Sequence, residues 1–223
     1  MQFYDILCQR TEPDRQQLFA APVIQDALRG EIVTAQYIAF LTQAYHHVKH
    51  TVPLMMACGS RLGDAHGWLR GAVAEYIEEE LGHEEWILSD IAAAGGDPAQ
   101  ARHSRPHPAT ELMVAYAYHQ VDRHNPVGFF GMVHVLEGTS TALATQAAET
   151  IRATLGLPQE AFSYLTSHGS LDLGHVDFFK GLVNRLERES DREAVLHCAR
   201  MVYRLYGDIF RSLPRAADLV EEA

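Results

Sequence analysis

Residues 78–86 read EEELGHEEW, five glutamates around one histidine inside a stretch of helical apolar spacing. Facing outward, such groups are a solvated charge run. Facing inward, a carboxylate and an imidazole supply the donors that hold iron or manganese. At 100° per residue, Leu69, Val73, Tyr76, Ile77, Leu81, Ile87, Leu88 and Ile91 form one apolar stripe along a helix predicted over 67–94. Glu80 falls within that stripe and His83 at its edge, one turn on. Glu84 also falls on it, whereas Glu78, Glu79 and Glu85 fall outside. Groups at i and i+3 share a helical face, and a carboxylate there is costly to bury unless it is paired or metal-bound.

A second acid–histidine pair strengthens this weak signal. His168, Asp172, His175, Phe179, Leu182 and Leu186 follow spacings of four, three, four, three and four, one seam of a helix predicted over 168–189. The aromatic and aliphatic half of that seam is core, so Asp172 and His175 extend a core-facing line, with His168 one turn before them. A helix end emerging into solvent near Gly169 is the plainer alternative. Glu137, in FFGMVHVLEGTSTALA, is a lone carboxylate among Phe130, Val133, Thr141 and Ala144 on the helix predicted over 126–155. His134, one turn back, is set aside as a ligand. On the helix predicted over 31–51, His47 follows Phe40 and Ala44 at helical spacing. His46 lies further out beside Thr42, and His50 is the substitute one turn on. Two helices with an acid-x-x-His pair and two with one inward donor each have the arithmetic of a dimetal carboxylate site in a helical protein.

The elements that must position these donors are all helical. Eight helices are predicted, at 14–29, 31–51, 67–94, 109–123, 126–155, 158–166, 168–189 and 191–211, with Gly30, Pro53, GGDP at 95–98, NP at 125–126 and GLP at 156–158 as breaks. GGDPAQARHSRPHPAT reads as a surface connection. No linker separates two bodies, so residues 1–223 are expected to form a single all-α domain. The formal charge of −11 leaves no cationic excess for nucleic acid. No apolar run approaches the ~20 residues of a membrane span, and MQFYDILCQR lacks the pattern of a signal peptide, so a cytoplasmic protein is expected. Cys8, Cys58 and Cys198 are odd in number and lack CxxC spacing, which argues against disulfides or a cysteine zinc site.

From YHHVKHTVPLM to LTSHGSLDLGHVDFF the chain resembles the heme-oxygenase-like superfamily, and within it the diiron oxidases and oxygenases related to TenA, PqqC and the chlamydial death-domain-associated protein. That resemblance implies a bundle of seven to eight helices, a homodimer, and metal ligands Glu80, His83, Glu137, Asp172 and His175. The family's first glutamate is missing here: the early helix carries His46 and His47, with no acid between Glu31 and Asp64. His47 in its place removes one negative charge, which favours a weakly held or mononuclear centre. VLEGTSTALA also resembles the distal region of bacterial heme oxygenases, yet residues 1–30 contain no histidine to serve as the proximal ligand, so no heme is expected.

The resulting expectation is an oxidoreductase holding one or two Fe(II), or manganese, that uses dioxygen and an external electron donor to oxidise a small organic molecule. Tyr45, Tyr76, Tyr116 and Tyr164 are candidate pocket walls. The rivals are a metal-free enzyme of the TenA or PqqC kind, and a non-catalytic protein of the same fold that binds metal or a small ligand.

Overall fold

The computed structural model describes residues 1–215, and the side chains of all of these except 168–175. The described residues form α-helices and short 3-10 turns without a strand. In chain order they are α1 (Phe3–Phe19), α2 (Pro22–Arg29), α3 (Thr34–Val48), α4 (Thr51–Arg61), α5 (Gly67–Glu80) and α6 (His83–Ala93). There follow α7 (Pro98–His103), α8 (Pro108–Arg123), α9 (Phe130–Leu155), α10 (Ser163–Val183) and α11 (Glu189–Ser212). None is long and apolar enough to cross a membrane.

These are more helices than the seven to eight expected, and the differences have local causes. The predicted 67–94 helix is two. Gly82 takes φ 88°, a left-handed conformation that ends one helix and opens the next. Leu81, assigned to the apolar stripe, lies in that break with 61% of its surface exposed. The predicted 31–51 helix ends at Val48, and Pro53 sits in the first turn of a further helix, α4, where its missing N–H costs nothing. Helix α1 begins at Phe3 rather than residue 14 and runs through Pro13. The supposed surface connection contains α7, capped by Asp97 Oδ1, which accepts from Ala99 N at 2.8 Å and Gln100 N at 3.1 Å. Residues 158–166 are a 3-10 turn followed by the start of α10, not a separate helix.

The apolar residues form two clusters. One gathers α1, α4, α5, α8, α11 and the first turns of α9, around Leu7, Leu54, Val73, Met113, Val135 and Val202. The other gathers α3, α6, the start of α10 and the later turns of α9, around Tyr37, Leu41, Ile87, Ile91, Ala148 and Phe162. Helix α9, about 39 Å long at 1.5 Å per residue, runs through both. It meets α11 closely at Gly131. A Cβ there would fall against the Val195 carbonyl oxygen, 2.6 Å from Ala199 N and 2.9 Å from Cys198 Cβ. Asp191, in the first turn of α11, accepts from Asn125 Nδ2 at 2.7 Å and lies 2.7 Å from His66 Nε2.

Two outcomes follow from this packing. Gly131→Ala must push two backbones apart and is expected to lower stability by about 3 kcal/mol in denaturant unfolding. His134 is buried with Tyr4 (6.1 Å), Phe179 (5.8 Å) and Tyr203 (6.2 Å) around its ring. Burial, with a smaller contribution from Arg15, holds its pKa down to about 4. Below its ordinary pKa the unfolded chain takes a proton that the native ring refuses. Stability is therefore lost progressively as pH falls from about 6.5 to 4. Melting curves of His134→Gln at pH 7 and 4.5 are expected to show less acid sensitivity than the parent, by at most about 3 kcal/mol.

Candidate functional site

A cavity of ≈ 80 Å³ lies at the seam between the two apolar clusters. Val48 and Tyr164 of its wall belong to the second cluster, and Leu54, Phe129, Met132 and Tyr206 to the first. Three of the side chains singled out from the sequence line it: His47 from α3, Glu80 from the end of α5 and Glu137 from α9. His47 is 3% exposed and meets the Tyr206 ring edge-on at 5.7 Å. Glu137 Oε2 is buried.

His83 reaches this site through Glu80. Its Nδ1 lies 3.1 Å from Glu80 Oε2, with the two side chains 4% and 13% exposed. The pair does not share one helical face, as the spacing predicted, because Leu81 and Gly82 separate the last residue of α5 from the first of α6. The left-handed turn at Gly82 folds the two ends back towards each other instead. The His83 ring stacks on Trp86 at 4.0 Å and 29°. Such a contact orients both rings and holds the carboxylate.

The other histidines of α3 and its C-terminal end face elsewhere. His46, expected further out, is 1% exposed and turned towards α7, with Nε2 2.8 Å from Ser104 Oγ and Nδ1 3.2 Å from Lys49 Nζ. Burial, then Lys49, lowers its pKa to about 4. His50 Nδ1 lies 3.2 Å from the Tyr118 hydroxyl, leaving His47 as the histidine of this group that lines the cavity. Of the tyrosines proposed as walls, Tyr164 lines it, while Tyr45 lies under Lys49 and Tyr76 packs on Phe178. Tyr116 bonds Gln120. Tyr206, which the sequence analysis did not select, is a further wall; its spacing on α11 is that of any core aromatic. Asp172, His175 and His168 lie on α10, but their side chains are outside the described residues.

Among the described residues, no three His, Cys, Asp or Glu side chains gather as a complete ligand set. The donors that line the cavity are imidazole and carboxylate without thiolate, a chemistry suited to iron or manganese. The cavity wall thus offers polar donors from α3, α5 and α9.

Helix α6 also sets the start of α10. Asp90, fully buried, accepts from Ser163 N at 3.0 Å and Tyr164 N at 2.8 Å. Burial raises its pKa, and the two amides act against that shift. This cap fixes the backbone from which Tyr164 enters the cavity.

An all-helical protein with buried acid and imidazole donors at the bundle seam is the class that fold and site define, and the likeness to solved structures makes it specific. A domain of unknown function with a heme oxygenase-like fold from Shewanella denitrificans superposes with a TM-score of 0.86 at 24% identity, over 96% of this chain and 92% of that one. A TenA homologue from Pseudomonas syringae gives 0.77 at 12% identity, over 95% and 91%. A CADD-like protein from Nostoc punctiforme gives 0.71 at 16% identity, over 93% and 96%. At these identities the likeness establishes the fold, which is heme-oxygenase-like. The model of a family described as iron-containing redox enzymes matches residues 38–207, and the chain belongs to that family. No curated protein matches the chain.

The cap on α10 is testable by itself. Asp90→Ala leaves one buried and one half-buried amide without an acceptor and is expected to cost about 2–4 kcal/mol in chemical denaturation. Asp90→Asn, which keeps one acceptor oxygen, is expected to cost about half as much.

Proposed function

We propose that this protein is an iron-dependent oxidase or oxygenase, with one or two iron ions, acting on a small organic molecule. The observation that carries the reading is that His47, Glu80 and Glu137, from three separate helices, line one cavity together with Leu54, Phe129 and Met132. Membership of a family of iron-containing redox enzymes supports it. Asp172 and His175 would complete the ligand set from α10, as their acid-x-x-His spacing implies. The iron would supply the reductive activation of dioxygen.

The chain's own groups have separable tasks in this reading. Carboxylates of Glu80 and Glu137 neutralise the cation, and His47 adds a neutral donor where a further carboxylate would have added charge. His83 either ligates directly or, through its 3.1 Å contact, orients Glu80. Phe129, Met132 and Val133 keep bulk water from the reacting centre. A metal-free enzyme remains the second reading, supported by the shared fold with a TenA homologue.

Anaerobic titration with Fe(II), followed by oxygen-uptake measurements, separates the two. The parent is expected to bind one or two irons per chain and to consume oxygen. Glu80→Ala and His175→Ala are each expected to weaken iron binding at least tenfold. Parental iron binding by both variants, with their folds intact by circular dichroism, would place the metal elsewhere. A parent that binds no iron would favour the metal-free reading.

A further inference from the structure

A second cavity, of ≈ 100 Å³, adjoins the first and shares Ser140, Tyr164 and Tyr206 with its wall. It is lined from α2, α3, α9, α10 and α11, by side chains such as Val23, Phe40, Leu143, Ala147, Leu165 and Phe210. Among the described residues, no charged side chain lines it. Its volume is of the order of cavities that admit a single aromatic ring, about 150 Å³ in well-studied cases.

The polar groups on this wall are mostly engaged within the protein. Gln36 Nε2 donates to Pro214 O at 2.9 Å and its Oε1 accepts from Val33 N at 3.0 Å. The Tyr37 hydroxyl donates to Ala161 O at 2.7 Å, and Ser140 Oγ donates to Glu137 O at 3.1 Å. Thr139 differs. Its side-chain oxygen is buried, the residue is 6% exposed, and among the described residues no hydrogen-bond partner meets it. A threonine inside a helix ordinarily donates to the carbonyl four residues back, as Thr141 does to Glu137 O at 2.8 Å. Thr139 forgoes that bond and lines the cavity. Buried hydroxyls are almost always satisfied, and an apolar wall without a partner is unfavourable for one.

We propose that this second cavity takes the apolar body of the substrate, and that Thr139 recognises one uncharged oxygen function on it, a hydroxyl or a carbonyl. The identification as substrate rests on the function proposed above; the ligand chemistry rests on the cavity alone. A hydroxyl donates and accepts, so either oxygen function completes Thr139. A charged group would enter a wall with no counter-charge, which excludes carboxylates and ammonium groups from this part of the ligand. The molecule would extend past Ser140 and Tyr206 to present its reacting end to the first cavity. Thr139 is thus a specificity-determining residue, one position beyond the Glu137–Gly138 step on α9.

The test uses the metal-free full-length chain with p-cresol and toluene as nearly isosteric probes, and benzoate as the charged comparator, measured by calorimetric titration. The parent is expected to bind p-cresol at least tenfold more tightly than toluene, and to bind benzoate more weakly than either. Thr139→Val is expected to lose about tenfold in p-cresol affinity while leaving toluene unchanged. Its melting temperature without ligand is expected to match or exceed the parent's, because no internal hydrogen bond is removed; a hydroxyl with a structural role would give a lower one. Ala147→Leu, which narrows the cavity without touching Glu80, Glu137 or His47, is expected to weaken both neutral probes. Failure of the parent to bind either neutral probe, or equal loss of both in Thr139→Val, would overturn the proposal. Iron binding is measured separately. Tight p-cresol binding by a chain that takes up no iron removes the metal reading and leaves this one standing, and the reverse holds equally.

Discussion

Carboxylates are among the most costly groups to take out of water, and this bundle brings two of them to one internal cavity. Glu80 and Glu137 arrive from different helices at the seam where two apolar clusters meet. The seam follows from α9. Its first turns, from Phe130 to Val135, pack into one cluster, and its later turns, from Ala144 to Ile151, into the other. Between them lies EGTST at 137–141, residues that are polar or lack a side chain, flanked by Leu136 and by Ala142 and Leu143. A helix that kept its apolar stripe unbroken would fuse the clusters and leave no room for donors. The polar interval in α9 therefore places Glu137 and Ser140 on the wall of the first cavity, and Thr139 and Ser140 on that of the second.

Much of the fold was legible because helical periodicity is a long-range signal, repeated over many turns. Single residues governed the failures. The first predicted helix begins at residue 14, eleven residues after Phe3, whereas α1 runs through Pro13, with the Thr11 hydroxyl donating to Leu7 O at 2.8 Å one turn back. Gly82 was outweighed by the apolar spacing on either side of it. The LG step was nonetheless a stop signal of the ordinary kind. Leu81 was counted as core because it completed a pattern, and the pattern ends one residue earlier.

The candidate site was legible to a different depth. His47 and Glu137 could be placed on the inward face of a helix because their neighbours on that face are apolar. The Glu80–His83 contact was anticipated for a reason that does not apply, since a turn rather than a shared face joins them. Tyr206 and Thr139 could not have been singled out: one matches core aromatic spacing, and the other is a helical threonine like Thr141. Which threonine donates to its own helix, and which faces a void, depends on what packs opposite, and that is decided by elements far away in sequence.

Helix α6 ties these observations together. Its first residue, His83, contacts Glu80, and its buried Asp90 two turns on caps α10 at Ser163 and Tyr164. The orientation of α6 therefore bears on one carboxylate of the first cavity, on a wall residue of both cavities, and on the helix that carries Asp172 and His175. That orientation begins at Gly82, whose φ of 88° a residue with a Cβ adopts only under strain. A bundle can tolerate such a break because the flanking helices are held by packing, with Ile87 and Ile91 fully buried on the α6 side and Tyr76 on the α5 side. The discontinuity is thus stabilised from both ends, and a turn makes the carboxylate–imidazole contact that the shared face of an unbroken helix would otherwise have made.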